Sequence, residues 1–98
     1  MIEKPVINAA EAAKMVNEGD VVHVGGFLAC GSPLGILAAL AARGTKNLTL
    51  ICNDTATPEI GVGKFVIHKQ LKKAIVSHIG TNPETGRQMI TGELSVEL

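Results

Sequence analysis

A glycine-rich loop follows the first β-branched run of this sequence and precedes a proline that can open a helix. The loop begins Gly25-Gly26-Phe27 and closes with Gly31 before Pro33. Consecutive glycines let backbone N–H groups approach a ligand closely, and a helix N-terminus favours negative charge. The loop fits neither the G-x-G-x-x-G pattern nor the phosphate loop that ends in Gly-Lys-Ser/Thr. Spacing alone leaves two interpretations open, a ligand-binding loop and a tight strand-to-helix turn.

Small polar residues follow the next two apolar runs in the same way. Asn53 and Asp54 come directly after the second run, and His78 and Asn82 stand at the end of the third. An asparagine N–H is a good donor to a developing oxyanion, and histidine can act as an acid or base near neutral pH. Each cluster alone is more typical of a turn. The strands of a parallel sheet end at one edge, so the three clusters together predict a shared ligand site there.

The elements that must position these clusters alternate between helix and strand. Asn8 is expected to cap the first helix, and Ser32 to cap the helix that begins at Pro33. The predicted helices cover 9–16, 34–43, 64–72 and 83–92, and the predicted strands 21–24, 48–52, 74–79 and 95–98. This alternation predicts an α/β fold, with a mostly parallel sheet and crossover helices. The chain ends in a predicted strand without a closing helix, so we expect residues 1–98 to be the N-terminal part of a single longer domain.

Composition excludes several classes of function. The chain has 98 residues with nine Lys plus Arg against nine Asp plus Glu, and two phenylalanines are its only aromatic residues. Neutral charge disfavours a nucleic-acid partner. Two cysteines make neither a disulfide framework nor a zinc-ligand spacing, so no metal is predicted. The stretch 1–5 does not resemble a signal peptide, and the apolar stretch 34–42 is too short to span a membrane. A soluble cytoplasmic chain is expected.

Other residues with reactive or charged side chains are expected to be structural. His23 lies among valines and is expected to be a core histidine. Cys30 precedes a helix, which would lower a thiol pKa, but no residue is placed by sequence as its base, so a packed thiol is expected. Cys52 ends an apolar strand and is predicted to be core. Lys69, Lys72 and Lys73 are expected to form a solvated face, although a phosphate-bearing ligand could use them.

With its following proline, the glycine loop resembles the signature of the alpha subunit of family I CoA-transferases, the acetate or butyrate–acetoacetate type. The resemblance continues through 48–55, 61–63 and 77–86 and so covers essentially the whole chain. Two positions depart from the signature: Glu18 stands where Asp or Asn is usual, and His23 interrupts an apolar triplet.

The resemblance implies covalent catalysis. A glutamate of a beta subunit attacks a short-chain acyl-CoA (acetyl-, butyryl- or acetoacetyl-CoA), giving a mixed anhydride and then a glutamyl-CoA thioester. The CoA then passes to a second carboxylate in ping-pong fashion. Coenzyme A is thus a substrate, with no permanently bound cofactor, and the expected assembly is a heterotetramer with the beta subunit. The Glu-x-Gly context of the nucleophile is absent here, so the resemblance assigns no nucleophile to this chain.

The resemblance also implies roles for the clustered residues. Asn53 would help to hold the thioester oxygen, and Asp54 stands where relatives have a second asparagine. The residues implied to lie against CoA or substrate are Gly25, Gly26, Phe27, Gly31, Asp54, His78 and Asn82. Two alternatives remain open: a phosphate- or nucleotide-binding module related to sugar-phosphate isomerases, and a non-catalytic fragment. As a part of a CoA-transferase, the isolated chain is expected to be inactive.

Overall fold

The structure of the protein is a computed structural model that describes residues 4–98. Residues 1–3, part of the stretch predicted not to be a signal peptide, lie outside the described residues. Helices and strands alternate as the sequence predicts. The elements are α1 (Ala9–Ala13), β1 (Val21–His23), α2 (Leu34–Arg43), β2 (Leu48–Ile51), α3 (Gly63–Ile67), β3 (Leu71–Ile75), α4 (Pro83–Thr91) and β4 (Ser95–Glu97).

The four strands form one parallel sheet in the order β1-β2-β3-β4. Val22, Leu50, Ala74 and Val96 lie side by side in this register. Side chains at one register position share a face of the sheet, and this row belongs to the hydrophobic core. The predicted α/β class, a parallel sheet with crossover helices, is therefore confirmed.

Helix side chains complete the core on this face of the sheet. Leu37 and Leu40 of α2 and Phe65 of α3 are at most 2% exposed and belong to the same cluster as the sheet residues. Burying a side chain of this size stabilises the fold by about 1.5–3 kcal/mol. The helices α2 and α3 are thereby fixed against the sheet from whose strand ends the loops emerge.

The other face of the sheet is less completely buried and mixes polar with apolar residues. Val21 is 64% exposed, and Lys73 forms an ion pair with Glu97 on the neighbouring strand at 3.3 Å. His23 lies on this face and is exposed, so the expectation of a core histidine was wrong. Side chains alternate across a strand, and Val22 takes the core side next to it.

The junction between α3 and β3 differs from the sequence prediction. The helix ends at Ile67 and the strand begins at Leu71, five residues and three residues earlier than predicted. Lys69 has a φ of 54°, a left-handed conformation that cannot continue a helix. The Gln70 side chain is buried and donates to the carbonyl oxygen of Thr45 at 2.9 Å. Lys72 and Lys73 are therefore strand residues; Lys72 is exposed, as expected of a solvated face, and Lys73 is half-buried.

Helix α1 begins as predicted and ends early. The side chain of Asn8 caps it by accepting a hydrogen bond from the backbone N–H of Glu11 at 2.8 Å. The helix ends at Ala13, its buried residue, three residues before the predicted end. Among residues 4–98, no helix is both long and apolar enough to cross a membrane.

Candidate functional site

Three loops follow the carboxyl ends of β1, β2 and β3 and lie along one edge of the sheet. The parallel pairing continues past the strand ends, since the backbone N–H of Ser77 donates to the carbonyl oxygen of Asn53 at 2.9 Å. Asp54 and His78 form an isolated parallel bridge directly beyond it. The predicted clusters after the second and third strands are thus neighbours in space.

Residues 27–30 of the glycine loop form a tight turn, here called the Phe27–Cys30 turn. Phe27 and Cys30 exchange two backbone hydrogen bonds of 2.9 and 2.8 Å, and Leu28 and Ala29 between them have φ values of 51° and 69°. Two positive φ values in succession define a type I′ turn, which normally has Asn and Gly at these positions. A left-handed conformation costs a residue with a side chain roughly 1–2 kcal/mol. The turn leaves the phenylalanine ring 61% exposed at the edge of the sheet.

The glycines of the loop serve different purposes. Gly26 has a φ of 124°, and a Cβ atom there would overlap the Oγ atom of Ser32 and lie 3.0 Å from the carbonyl oxygen of Cys30. Gly31 has a φ of 84°. Gly25 has neither constraint, because no atom lies within 4 Å of its Cβ position. Of these three glycines, only Gly25 could carry a side chain without a steric clash or a strained φ, so the fold does not explain why it is glycine.

Ser32 does not cap the following helix, contrary to the sequence prediction. Pro33 occupies the capping position, with no side-chain hydrogen bond to the first turn of α2. The Ser32 hydroxyl instead donates to the carbonyl oxygen of Gly25 at 2.8 Å. A serine hydroxyl chooses between nearby backbone partners, and here it closes the glycine loop on itself.

The Asn53–Asp54 pair is divided between solvent and interior. Asn53 is exposed, and its Nδ2 atom lies 3.3 Å from the Oδ2 atom of Asp54. Asp54 is only 2% exposed and accepts hydrogen bonds from the backbone N–H groups of Ala56 at 2.7 Å and Leu28 at 3.0 Å. The amide of Asn53 is therefore available to a ligand. Both oxygens of Asp54 already accept hydrogen bonds from the protein. A contact between Asp54 and substrate stays a prediction.

Asn82 belongs to a buried polar cluster that joins the second loop to the third. Its Nδ2 atom donates to the carbonyl oxygen of Thr55 at 3.1 Å, and Thr85 donates to the Thr55 hydroxyl at 2.8 Å. Thr81 donates to the carbonyl oxygen of Ala56 at 2.7 Å. Asn82 is 0% exposed, and its Oδ1 atom has no hydrogen-bond partner among the described residues. The sequence placed these threonines in the candidate clusters but did not predict their buried hydrogen bonds, because no sequence signal distinguishes a buried threonine from a solvated one.

The remaining candidates lie at the surface or in the core. His78 is exposed, and its Nε2 atom lies 3.0 Å from where a Cβ atom of Gly80 would be. Cys52 is buried as predicted, whereas Cys30 is exposed and not a packed thiol; both are free. Within residues 4–98, no group of three or more His, Cys, Asp or Glu residues is arranged to hold a metal ion.

A cavity of about 430 Å³ lies away from the predicted site residues. Its lining consists of residues 16–18, before β1, and residues 43–45, at the end of α2. None of the residues predicted to contact substrate lines this cavity. The candidate site residues therefore lie at the opposite edge of the sheet from this cavity.

Fold and site define a parallel α/β protein whose candidate ligand site is assembled from loops at the carboxyl ends of its strands, the usual site location in this class. The protein-family model described as Coenzyme A transferase matches residues 6–98. The chain belongs to this family.

Individual relatives agree with this assignment. The chain is 46% identical over 88 residues to the acetate CoA-transferase subunit alpha of Escherichia coli (strain K12), covering 90% of this chain and 40% of the relative. It is 41% identical over 93 residues to the acetoacetyl-CoA:acetate/butyrate CoA transferase alpha subunit of Clostridium acetobutylicum, covering 95% and 43%. A probable coenzyme A transferase subunit alpha of Bacillus subtilis (strain 168) is 43% identical over 82 residues, covering 84% and 36%. The chain thus spans about two fifths of the length of these curated relatives.

Proposed function

We propose that this chain is part of the alpha subunit of a CoA-transferase that moves CoA from a short-chain acyl-CoA to a carboxylic acid. Membership of the coenzyme A transferase family supports CoA transfer. The names of the relatives, which are alpha or A subunits, support a role as one subunit of a larger enzyme. The observation that carries the proposal is the exposed amide of Asn53 on the same sheet edge as the open backbone of Gly25.

The proposed reaction uses a glutamate of the beta subunit as nucleophile. Its carboxylate oxygen bonds to the acyl carbon of the thioester, and CoA leaves as a thiolate, which yields a mixed anhydride. The thiolate then attacks the glutamyl carbonyl carbon, and the first acid leaves as its carboxylate. A second carboxylate reverses these two steps and carries CoA away. Covalent catalysis of this kind replaces one difficult transfer by easier ones.

The chain's own contribution is binding and charge stabilisation. The Asn53 Nδ2–H group donates to the thioester oxygen as negative charge develops on it, which is the role of an oxyanion-hole donor. The loop from Gly25 to Gly31 lies along the thioester region of CoA, with the exposed ring of Phe27 against the ligand. The exposed His78 and the buried Asn82 remain candidate substrate contacts of the third loop.

The partner in this proposal is a CoA-transferase beta subunit, in a heterotetramer in the cytoplasm. The alpha-subunit names of the relatives support a beta partner, and two free cysteines fit a reducing compartment. Neutral net charge provides no long-range steering of anionic CoA, so binding relies on local donors. Nucleic acid and membrane are not partners in the proposal.

A CoA-transfer assay with acetyl-CoA and acetoacetate tests the proposal. The 98-residue chain is assayed alone, with a beta subunit, and in parallel with a full-length alpha subunit plus the same beta subunit. We expect turnover from the full-length pair and none from the chain alone. Initial rates are measured at several fixed concentrations of the second substrate. Their double-reciprocal plots should give the parallel lines of ping-pong kinetics.

Two outcomes of the assay contradict the proposal. Turnover by the chain alone would place a nucleophile on it, against the split site. A full-length alpha subunit carrying this sequence that binds its beta subunit but transfers no CoA would contradict the assigned activity. Borohydride reduction of the enzyme after incubation with acyl-CoA provides an independent test, because it traps a glutamyl thioester on the beta subunit only if the proposed intermediate forms.

A further inference from the structure

Asp54 connects two loops that are far apart in the sequence. Its Oδ2 atom accepts a hydrogen bond from the backbone N–H of Leu28, which stands 26 positions earlier. The same oxygen lies 3.3 Å from the Nδ2 atom of Asn53. One carboxylate oxygen therefore faces both the Phe27–Cys30 turn and the proposed oxyanion donor.

The local bonding of Asp54 does not explain this arrangement. Its Oδ1 atom accepts from the backbone N–H of Ala56, two residues on, which is the usual bond of an Asx turn. That bond needs only one carboxylate oxygen, and an asparagine at this position would make it equally well. The bond to Leu28 needs the second oxygen as an acceptor, which only a carboxylate provides.

The bond reaches the Phe27–Cys30 turn at its strained part. Leu28 and Ala29 both have positive φ without being glycine, and a conformation of this kind persists only when surrounding contacts hold it. The buried carboxylate is such a contact. It is 2% exposed, and each of its two oxygens accepts a backbone N–H bond, from Leu28 and from Ala56.

We infer that Asp54 is a positioning residue, whose buried carboxylate holds the Phe27–Cys30 turn at a fixed distance from the Asn53 amide and does not itself contact substrate. The inference rests on the proposed function, since it concerns the site of that reaction. In this view, Asp54 keeps the Phe27–Cys30 turn, which lies along the thioester, and the Asn53 amide, which binds the thioester oxygen, in a fixed relative position. Small displacements of such groups reduce turnover strongly.

The test uses Asp54→Asn and Asp54→Ala in the alpha subunit that carries this sequence, assembled with its beta subunit. The asparagine keeps one acceptor oxygen and places an NH₂ group against one of two N–H donors, Leu28 or Ala56. Asp20→Asn is the matched control, because Asp20 also accepts a backbone N–H bond, from Asn17 at 2.8 Å, but lies before β1 at the other edge. Steady-state kinetics are normalised to assembled enzyme. Hydrogen exchange is measured for the segment 26–30, with segment 48–51 of β2 as the internal reference.

We expect Asp54→Ala, which removes both acceptor oxygens, to lower kcat by about 10²-fold, and Asp54→Asn, the residue that relatives have here, to lower it by roughly threefold to tenfold, in both cases with little change in KM for acyl-CoA. Exchange of segment 26–30 should accelerate while segment 48–51 keeps its protection, and Asp20→Asn should match the parent enzyme in both measurements. If Asp54→Ala does not assemble, Asp54→Asn alone decides, since it removes a single hydrogen bond and almost no volume.

Three results would overturn the inference. They are unchanged exchange of segment 26–30, unchanged kcat, or a raised KM with kcat intact, which would identify Asp54 as a direct substrate contact. Failure of the proposed function is distinguishable, because then the parent enzyme has no transferase activity. In that case the exchange measurement still decides whether Asp54 holds the turn.

Discussion

The Oγ atom of Ser32 occupies the space that a Cβ atom on Gly26 would need. The same hydroxyl donates to the carbonyl oxygen of Gly25, so the bond that closes the loop places the Ser32 side chain where only a glycine fits at position 26. Gly25 itself has open space at its Cβ position. The adjacent glycines therefore separate into one that the fold requires and one that only a ligand would require.

Substitution of the two glycines by alanine should affect different properties, stability for Gly26 and activity for Gly25. Gly26→Ala should lower the free energy of unfolding by about 1–3 kcal/mol, as overpacking does. Gly25→Ala should leave stability within about 0.5 kcal/mol and lower kcat/KM by roughly tenfold, the effect of about 1.4 kcal/mol of lost transition-state binding. Gly35→Ala, in α2 with no atom within 4 Å, is the control for replacing glycine as such. Denaturant unfolding and transferase kinetics measure the two effects, and full activity of Gly25→Ala would mean that no ligand approaches this backbone.

Asn53→Ala should lower kcat by about 10²-fold, the usual result of removing one oxyanion donor. Stability should change little, because the side chain is exposed and its one hydrogen bond is 3.3 Å long. Asn17→Ala is the control, since Asn17 is an exposed asparagine before β1, at the other end of the sheet. Equal turnover of the two variants would remove Asn53 from the reaction.

Asn82→Ala should destabilise the protein by about 1–3 kcal/mol, because the buried carbonyl oxygen of Thr55 loses its donor. Thr85→Val, which keeps the shape and removes the hydroxyl bonded to Thr55, should show a smaller loss. Chemical denaturation measures the loss of stability, and steady-state kinetics of the folded protein measure kcat and KM. Together they distinguish an interior support from a substrate contact. A variant that is as stable as the parent but has a raised KM would show Asn82 to be a substrate contact rather than an interior support.

The carboxylate of Glu84 should contribute to the free energy of unfolding at neutral pH, and this contribution should disappear in acid. Hydrogen bonds from Arg87, and next from Gln88, lower the pKa of Glu84 from 4.5 to about 2. A carboxyl whose folded pKa is lowered stabilises the fold above its unfolded pKa and loses this effect as the pH falls toward the folded pKa. The contribution should therefore be full above about pH 5 and decline between about pH 4.5 and pH 2.

Unfolding measured between pH 5 and pH 2.5 tests this dependence. Glu84→Gln should give a shallower decline than the parent chain, and added salt should narrow the difference because the ion pair is at the surface. Glu59→Gln, at an exposed carboxyl outside this ion pair, should follow the parent curve. Identical slopes for all three proteins would mean that the Glu84–Arg87 pair does not contribute to acid stability.

Local sequence was sufficient for the order of elements and insufficient for several of their boundaries, of which the end of α3 is the clearest case. The glycine after α2 and the asparagine before α1 have the conformations that their residue types predict. The end of α3 could not be predicted, because Lys69 and Gln70 are both compatible with a helix. What ends the helix is a long-range bond from Gln70 to the carbonyl oxygen of Thr45.

The candidate site shows the same division. Glycine and asparagine placed after apolar runs indicated the sheet edge, since parallel strands bring their carboxyl ends together. The turn at Leu28 and Ala29 had no signal, because neither residue type favours a positive φ. Its hydrogen-bond partner Asp54 lies on another loop.

By itself the sequence determined the α/β class, the order of strands and helices, and the residues that gather at one edge, because periodicity and turn residues act locally. Tertiary structure alone decided which gathered residues face solvent. Asn53 is exposed while Asp54 and Asn82 are buried, although all three are short polar residues in loops. The reason is physical: a polar side chain is buried where other segments supply its hydrogen-bond partners, and those partners are fixed only when the chain has folded.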